Sequence, residues 1–253
     1  MTSTITIAGQ AVHYEDTGAG GAIVLLHGWG ADHTLFQPLA QLLARKYRVL
    51  ALDFPGFGQS PEPASPCGVG DYADLVLGFL AALGIEGCSL LGHSFGGRVV
   101  IKLAARQLPV PKLHKLVLVA AAGIKPAQSK KARARAKRYQ IGRKLLKPFP
   151  QLAEAWRNRH GSADYRAASP MMREVFKNTV NEDLRGLLPR IQPPTLLVWG
   201  RGDTETPLAD GQLMEREIPG AGLVVLENCG HYAFLEQQGQ FLRVMASFFS
   251  IEI

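Results

Sequence analysis

A serine lies between glycines at the point where an apolar run gives way to an amphipathic pattern. The motif at 92–96 reads Gly-His-Ser-Phe-Gly and directly follows the apolar run Ser89–Leu91. This pattern predicts a tight strand-to-helix turn, in which the glycines leave room for a strained backbone and an exposed hydroxyl. The helix would direct its free N–H groups and positive dipole end towards an oxyanion formed beside Ser94. Ser94 is therefore the candidate nucleophile.

A serine hydroxyl attacks efficiently when an imidazole takes its proton and a carboxylate fixes the tautomer of that imidazole. His231, which follows the last predicted strand, is the candidate base. Asp203 follows the preceding strand and is the candidate acid, with Glu205 as its nearby rival. The chain order serine, acid, histidine is one of the orders in which such triads occur. We predict that Ser94, Asp203 and His231 are the catalytic residues.

A second glycine-rich turn could stabilise the negative charge that develops during acyl transfer. The segment 27–30 reads His-Gly-Trp-Gly and follows the apolar run Ala22–Leu26. The backbone N–H groups of Trp29 and Phe95 are predicted to form an oxyanion hole. The two histidines of these turns are also expected to hold their loops by packing or hydrogen bonding. The residues predicted to contact substrate are His27, Gly28, Trp29 and His93.

Apolar runs and helical patterns alternate along most of the chain. Strands are predicted at Thr4–Ala8, Val12–Glu15, Ala22–Leu26, Val49–Leu52, Ser89–Leu91, Leu113–Ala121, Thr195–Trp199 and Leu223–Leu226. Helices are predicted at Leu35–Ala44, Tyr72–Leu83, Phe95–Leu108, Leu208–Ile218 and Phe234–Phe249. The fold class is therefore α/β, with a doubly wound, mostly parallel sheet that binds ligands beyond the carboxyl ends of its strands.

One long stretch interrupts this alternation. No strand-like run occurs between about Ile124 and Arg190, where the sequence is helical and charged. We predict a helical cap at 124–190, inserted into a core formed by 1–123 and 191–253.

Composition narrows the class of protein. The 253 residues are 47% hydrophobic and 19% charged, and no run of about 18 apolar residues predicts a membrane span. The first residues lack the features of a signal peptide, and three cysteines do not indicate a disulfide framework. We therefore expect a cytoplasmic protein. Because no histidines or carboxylates have ligand spacing, we expect no catalytic metal and no cofactor.

The positive charge is concentrated in the predicted cap. Ten Lys or Arg residues and no carboxylate lie between Lys125 and Lys147, whereas the whole chain has a net charge of +7. Such a segment can be a solvated helix face, or it can steer an acidic carrier protein, an acyl-CoA or an anionic membrane surface. Nucleic acid is not expected, because no aromatic stacking platform accompanies the charge.

Taken together, these motifs resemble those of the α/β-hydrolase superfamily, of the cap-bearing serine esterase type. The resemblance extends over essentially the whole chain and includes Asp53–Ser60, which reads Asp-Phe-Pro-Gly-Phe-Gly-Gln-Ser. It implies hydrolysis of small carboxylic esters through an acyl-enzyme. Haloalkane dehalogenases and epoxide hydrolases of this superfamily use an aspartate nucleophile, so Ser94 argues against both.

Two alternatives stay open at this stage. The His-Gly-Trp-Gly and Pro-Gly-Phe-Gly segments are similar to those of pimeloyl-carrier-protein methyl esterases, which suggests a thioesterase or carrier-linked methyl esterase that uses the basic segment. A slow ligand-binding or signalling protein could also retain the same three residues.

Overall fold

The computed structural model describes residues 1–125 and 163–252, in which eight strands form one sheet. The strands are β1 (Thr2–Ile7), β2 (Gln10–Thr17), β3 (Ala22–Leu26), β4 (Arg48–Leu52), β5 (Gly87–His93), β6 (Lys112–Val119), β7 (Thr195–Gly200) and β8 (Gly222–Leu226). Their order across the sheet is β1-β2-β4-β3-β5-β6-β7-β8. The pairs β1–β2 and β2–β4 are antiparallel, and all other pairs are parallel. The predicted α/β fold is confirmed.

Helices cover both faces of this sheet. They are α1 (Gln37–Leu43), α2 (Val69–Ala82), α3 (Phe95–Ala104), α4 (Ala163–Ala167), α5 (Pro170–Val180), α6 (Leu208–Glu217), α7 (Ala233–Glu236) and α8 (Gln238–Phe249). Short 3₁₀ helices lie at His33–Phe36 and Arg185–Arg190. Within the described helices, none is long and apolar enough to cross a membrane.

The central strands are buried on both faces, which explains their continuous apolar sequence. In β3, Ile23 and Leu25 belong to an apolar cluster that includes side chains of α1 and α8. Val24 and Leu26, on the opposite face, belong to a cluster that includes side chains of α2 and α3. This alternation fixes the register of the strands and therefore the positions of the turns at their carboxyl ends.

Several helix boundaries differ from the prediction. The predicted helix at Leu35–Ala44 is a 3₁₀ turn followed by α1, and the helix predicted to reach Leu108 ends at Ala104. The helix predicted at Phe234–Phe249 is divided into α7 and α8, because Gln237 has the non-helical angles φ −121° and ψ 44°. Periodicity alone does not reveal such a break.

The proposed cap is only partly described. Helices α4 and α5 and the second 3₁₀ helix lie within it, whereas residues 126–162, with nearly all of the basic segment, lie outside the described residues. The backbone N–H of Leu184 donates to the carbonyl of Gly123, and Arg98 of α3 donates to the carbonyl of Glu182. These bonds join the end of the inserted stretch to the core. The division into core and cap stays a prediction.

Candidate active site

Ser94 lies at a strained turn between β5 and α3. Its backbone has φ 49° and ψ −108°, a positive φ that non-glycine residues rarely adopt. A Cβ on Gly92 would lie 2.5 Å from the backbone of Gly96, and one on Gly96 would overlap the carbonyl of Leu26. Both positions therefore require glycine. The strand–turn–helix that the sequence predicts is present.

His231 is oriented by Asp203. The Nδ1–H of His231 donates to Asp203 Oδ2 at 2.9 Å, and the carboxylate is fully buried. Burial by itself raises the pKa of Asp203, but hydrogen bonds from His231 and Thr206 outweigh it and hold this pKa below its ordinary value. The carboxylate therefore stays charged and selects the tautomer of His231 that leaves Nε2 free to accept a proton.

Thr206 is a positioning residue that the sequence analysis missed. Its hydroxyl donates to Asp203 Oδ2 at 2.7 Å, and its backbone N–H donates to Asp203 Oδ1 at 2.9 Å. A second backbone N–H, from Glu205, donates to the same Oδ1 at 2.9 Å. The signal that could have found it is the Asp-x-x-Thr spacing, which is typical of side-chain capping of a turn.

Glu205 lies on the other side of the imidazole. Its Oε2 is 3.5 Å from His231 Nε2, and its side chain is 63% exposed. Asp203 and Glu205 therefore approach different nitrogens of the same ring. Only Asp203 contacts Nδ1 and can orient the ring for proton transfer at Nε2. Glu205 lies on the exposed side of the ring, near Nε2.

The candidate nucleophile and base line one pocket of about 330 Å³. Its described lining residues are Gly28, Trp29, His93, Ser94, Asp164, Glu205, His231 and Tyr232. Among the described residues, no hydrogen bond joins Ser94 Oγ to His231. In ligand-free enzymes such bonds are often long, and they shorten when substrate binds.

Two lining residues, Asp164 and Tyr232, were not predicted from the sequence. Burial raises the pKa of Tyr232, and the nearby carboxylates of Glu205 and Asp164 add to this rise. The phenol is therefore protonated and can act as a hydrogen-bond donor in the pocket. No sequence motif marks either residue: Tyr232 directly follows His231 in the same loop, whereas Asp164 reaches the pocket through the packing of a distant segment.

Two backbone N–H groups lie near Ser94: that of Trp29 in the turn after β3, and that of Phe95 at the start of α3. Within the part of the chain that the structure describes, neither the N–H of Trp29 nor that of Phe95 donates a hydrogen bond. The Trp29 ring makes edge contacts with Phe57, Phe95 and Phe176, with ring centroids 4.8, 5.7 and 4.9 Å apart. These ring contacts hold in place the turn that carries the Trp29 N–H.

His27 supports this turn from below and is not among the residues that line the pocket. Its ring is fully buried; Nδ1–H donates to the carbonyl of Gly28 at 2.7 Å, and Nε2 accepts the N–H of Phe54 at 3.0 Å. Both ring nitrogens are thus used within the protein. The placement fits the predicted structural role of His27 and differs from its predicted contact with substrate.

His93 joins the serine turn to the histidine loop. Its Nε2 lies 3.1 Å from the carbonyl oxygen of His231, and the two rings are 4.9 Å apart. Burial, with a smaller contribution from the neighbouring His231, lowers the pKa of His93 to about 3. His93 is therefore neutral, and its Nε2–H donates to that carbonyl. A Cβ on Gly28 would lie 2.8 Å from His93 Nδ1, so this glycine permits the close approach.

The buried His93 should make the fold sensitive to acid. Its folded-state pKa of about 3 lies below the ordinary 6.5, so the unfolded chain takes up a proton first as the pH falls below 6.5. The free energy of unfolding should therefore decrease by about 2 kcal/mol between pH 7 and pH 5 through this group alone. Urea unfolding at both pH values, on the wild type and on His93→Gln, measures this loss.

His93→Gln should lose less stability than the wild type over the same interval. The control is His114→Gln, which changes an exposed histidine and should show the loss of the wild type. An equal loss of unfolding free energy in all three proteins would show that His93 is not the cause.

Comparison with known proteins places this arrangement in a family. The model of the alpha/beta hydrolase family matches residues 23–244. The AB hydrolase superfamily protein YisY of Bacillus subtilis is 30% identical, with 92% of this chain and 93% of the relative covered. The pimeloyl-[acyl-carrier protein] methyl ester esterase of Aeromonas salmonicida is also 30% identical, with 94% and 99% covered.

A solved structure agrees with these sequence relatives. The esterase EaEST of Exiguobacterium antarcticum superposes with a TM-score of 0.77 at 26% identity, with 98% of this chain and 99% of that chain covered. The resemblance drawn from the sequence motifs is therefore confirmed. The chain belongs to the alpha/beta hydrolase family, as a hydrolase with esterase relatives.

Proposed function

We propose that the protein hydrolyses carboxylic esters through an acyl-enzyme formed on Ser94. The observation that carries this proposal is the buried Asp203, which orients His231 beside the pocket that Ser94 also lines. The N–H groups of Trp29 and Phe95, which have no hydrogen-bond partner among the described residues, support it, because acyl transfer needs donors for the oxyanion. Esterases among the relatives favour the same reaction class.

The reaction would proceed in two steps. Ser94 Oγ attacks the ester carbonyl carbon while His231 Nε2 takes the hydroxyl proton, and the N–H groups of Trp29 and Phe95 bind the oxyanion. Collapse of this intermediate breaks the bond to the alcohol, which leaves with the proton from His231. Water then attacks the acyl-enzyme with His231 as base, and the carboxylic acid departs from a regenerated Ser94. Asp203 stabilises the imidazolium in both steps.

The experiment that tests this proposal measures turnover and binding on the same protein. Purified full chain is assayed with p-nitrophenyl esters of increasing acyl length, and thermal unfolding is followed with each corresponding acid. We expect continuous release of p-nitrophenol over many turnovers. A thermal shift without turnover would instead favour the ligand-binding alternative and would contradict an enzymatic role.

A carrier-linked methyl ester is the second candidate substrate. The relative from Aeromonas salmonicida carries the name of such an esterase, and this chain has a cluster of ten basic residues that could attract an acidic carrier protein. That segment lies almost wholly outside the described residues, so its charge, taken from the sequence, and the relative's name are the basis for the candidate.

Charge reversal in this segment should separate the two substrate classes. We expect the triple variant Arg133→Glu, Arg135→Glu and Lys137→Glu to raise KM for a carrier-linked methyl ester by roughly tenfold or more. The same variant should leave KM for p-nitrophenyl butyrate unchanged, because a small neutral ester gains nothing from electrostatic attraction. Equal effects on both substrates, or none on either, would eliminate the carrier protein as a partner.

A further inference from the structure

A buried group of potential metal ligands lies outside the pocket described above. His13 of β2, His33 of the first 3₁₀ helix and Asp53 after β4 each offer one ligand atom, and these atoms lie within 4.8 Å of one another. His13 and His33 are both 7% exposed, and Asp53 is fully buried. The residues are far apart in sequence and meet because β2 lies next to β4 in the sheet.

One ring nitrogen in this group has no partner among the described residues. His13 Nε2 is buried and forms no hydrogen bond, although leaving a buried polar atom unpaired is costly. The other ring nitrogen, Nδ1, lies 3.4 Å from Thr4 Oγ1. A histidine whose Nδ1 is held by a neighbour while Nε2 stays free has the arrangement that metal-ligating histidines adopt.

The other two residues are firmly held. Asp53 Oδ1 accepts from the backbone N–H and the ring Nδ1–H of His33, at 2.7 and 2.8 Å. Asp53 Oδ2 accepts the N–H of Gln59 at 2.9 Å. Ser60 Oγ accepts the N–H of His13 and donates to the carbonyl of Asp53, at 2.8 and 2.7 Å. This network fixes the orientation of the donors, as the surroundings of metal sites do.

We propose that His13, His33 and Asp53 form a binding site for a single Zn²⁺ ion. Two imidazoles and one carboxylate are a ligand set that zinc prefers, with a solvent molecule completing a tetrahedron. Zinc–ligand bonds of about 2.0–2.2 Å put tetrahedral ligand atoms roughly 3.4 Å apart. Zinc binding through His33 Nδ1 therefore moves its proton to Nε2, widens the His33–Asp53 contact slightly and draws the ring of His13 inward.

The ion would cross-link three segments that support the active site from behind. His33 lies three residues beyond Gly30, the last glycine of the turn that presents the Trp29 N–H. Asp53 begins the turn whose Phe54 N–H is bound by His27. The site is therefore structural, and it leaves the expectation of metal-free catalysis untouched.

Titration of the full, tag-free chain with ZnCl₂ tests this site. After treatment with a chelator, the protein should bind one Zn²⁺ per chain by isothermal titration calorimetry at pH 7.5, and its Tm should rise with zinc concentration. His13→Gln should weaken binding by roughly 100-fold or more, because it removes the free ligand atom. It leaves the His33–Asp53 pair intact, so the fold should persist.

Two controls identify the location of the ion. His114→Gln changes an exposed histidine and should bind as the wild type does. His231→Ala removes the other carboxylate-paired histidine and should also keep the wild-type affinity. If His13→Gln does not fold in the presence of EDTA, His33→Gln replaces it with the same expected loss. Zinc affinity that survives both ligand substitutions, depends on His231, or is absent from the wild type overturns the proposal.

Discussion

Ser94→Ala should lower kcat for p-nitrophenyl butyrate by about 10⁴-fold or more. The side chain stands on a backbone with φ 49°, at the floor of the pocket and next to the free N–H of Phe95. No covalent intermediate can form without the hydroxyl, so only the oxyanion donors and substrate binding would contribute to the remaining rate. Steady-state kinetics with purified proteins measure the difference.

The matched control is Ser247→Ala, which removes an exposed hydroxyl on α8 and should leave kcat unchanged. Thermal melting of both variants shows whether the fold is retained. A Ser94→Ala protein that keeps its fold and hydrolyses the ester within tenfold of the wild-type rate would exclude Ser94 as the nucleophile.

The second large effect is expected from Asp203→Asn, which should lower kcat by about 10⁴-fold. The amide can donate to His231 Nδ1, which favours the tautomer that carries its proton on Nε2. That nitrogen then cannot accept the proton of Ser94. The loss should appear in kcat rather than in KM, because Asp203 is fully buried and does not line the pocket.

Glu205→Gln is the control for this carboxylate. Its side chain is largely exposed and lies 3.5 Å from Nε2, on the side away from Asp203, so kcat should stay within about tenfold of wild type. The assay is the same ester hydrolysis at several pH values. A larger loss in Glu205→Gln than in Asp203→Asn would reverse the assignment of the acid.

The sequence predicted those features that local patterns control. The apolar runs of β3 and β5, each followed by glycines, were sufficient to predict the two turns that hold Trp29 and Ser94. Asp203 is the predicted acid because it lies shortly after a strand and Ala120–Gly123, after the preceding strand, contains no carboxylate. Glu205 stays its rival in the sequence, and the structure puts Asp203 next to Nδ1 of His231. These predictions depend on neighbours along the chain and on the rule that ligands bind at strand ends.

Features set by tertiary packing could not be predicted in this way. Asp164 lines the pocket through the packing of a segment that carries no motif of its own. The hydrogen bond that His27 Nε2 accepts depends on the turn that begins at Asp53. His13 reaches that same turn because β2 pairs with β4, and strand order is not encoded in the periodicity of a single strand.

The central claim is that Ser94 forms a covalent acyl-enzyme with the help of His231, and labelling with a fluorophosphonate tests it most directly. The intact mass should increase by one adduct per chain, and peptide mapping should place that adduct on Ser94. Labelling should be absent in Ser94→Ala and much slower in Asp203→Asn. An adduct on any other residue, or ester hydrolysis that continues at full rate after Ser94 carries the adduct, would contradict the account.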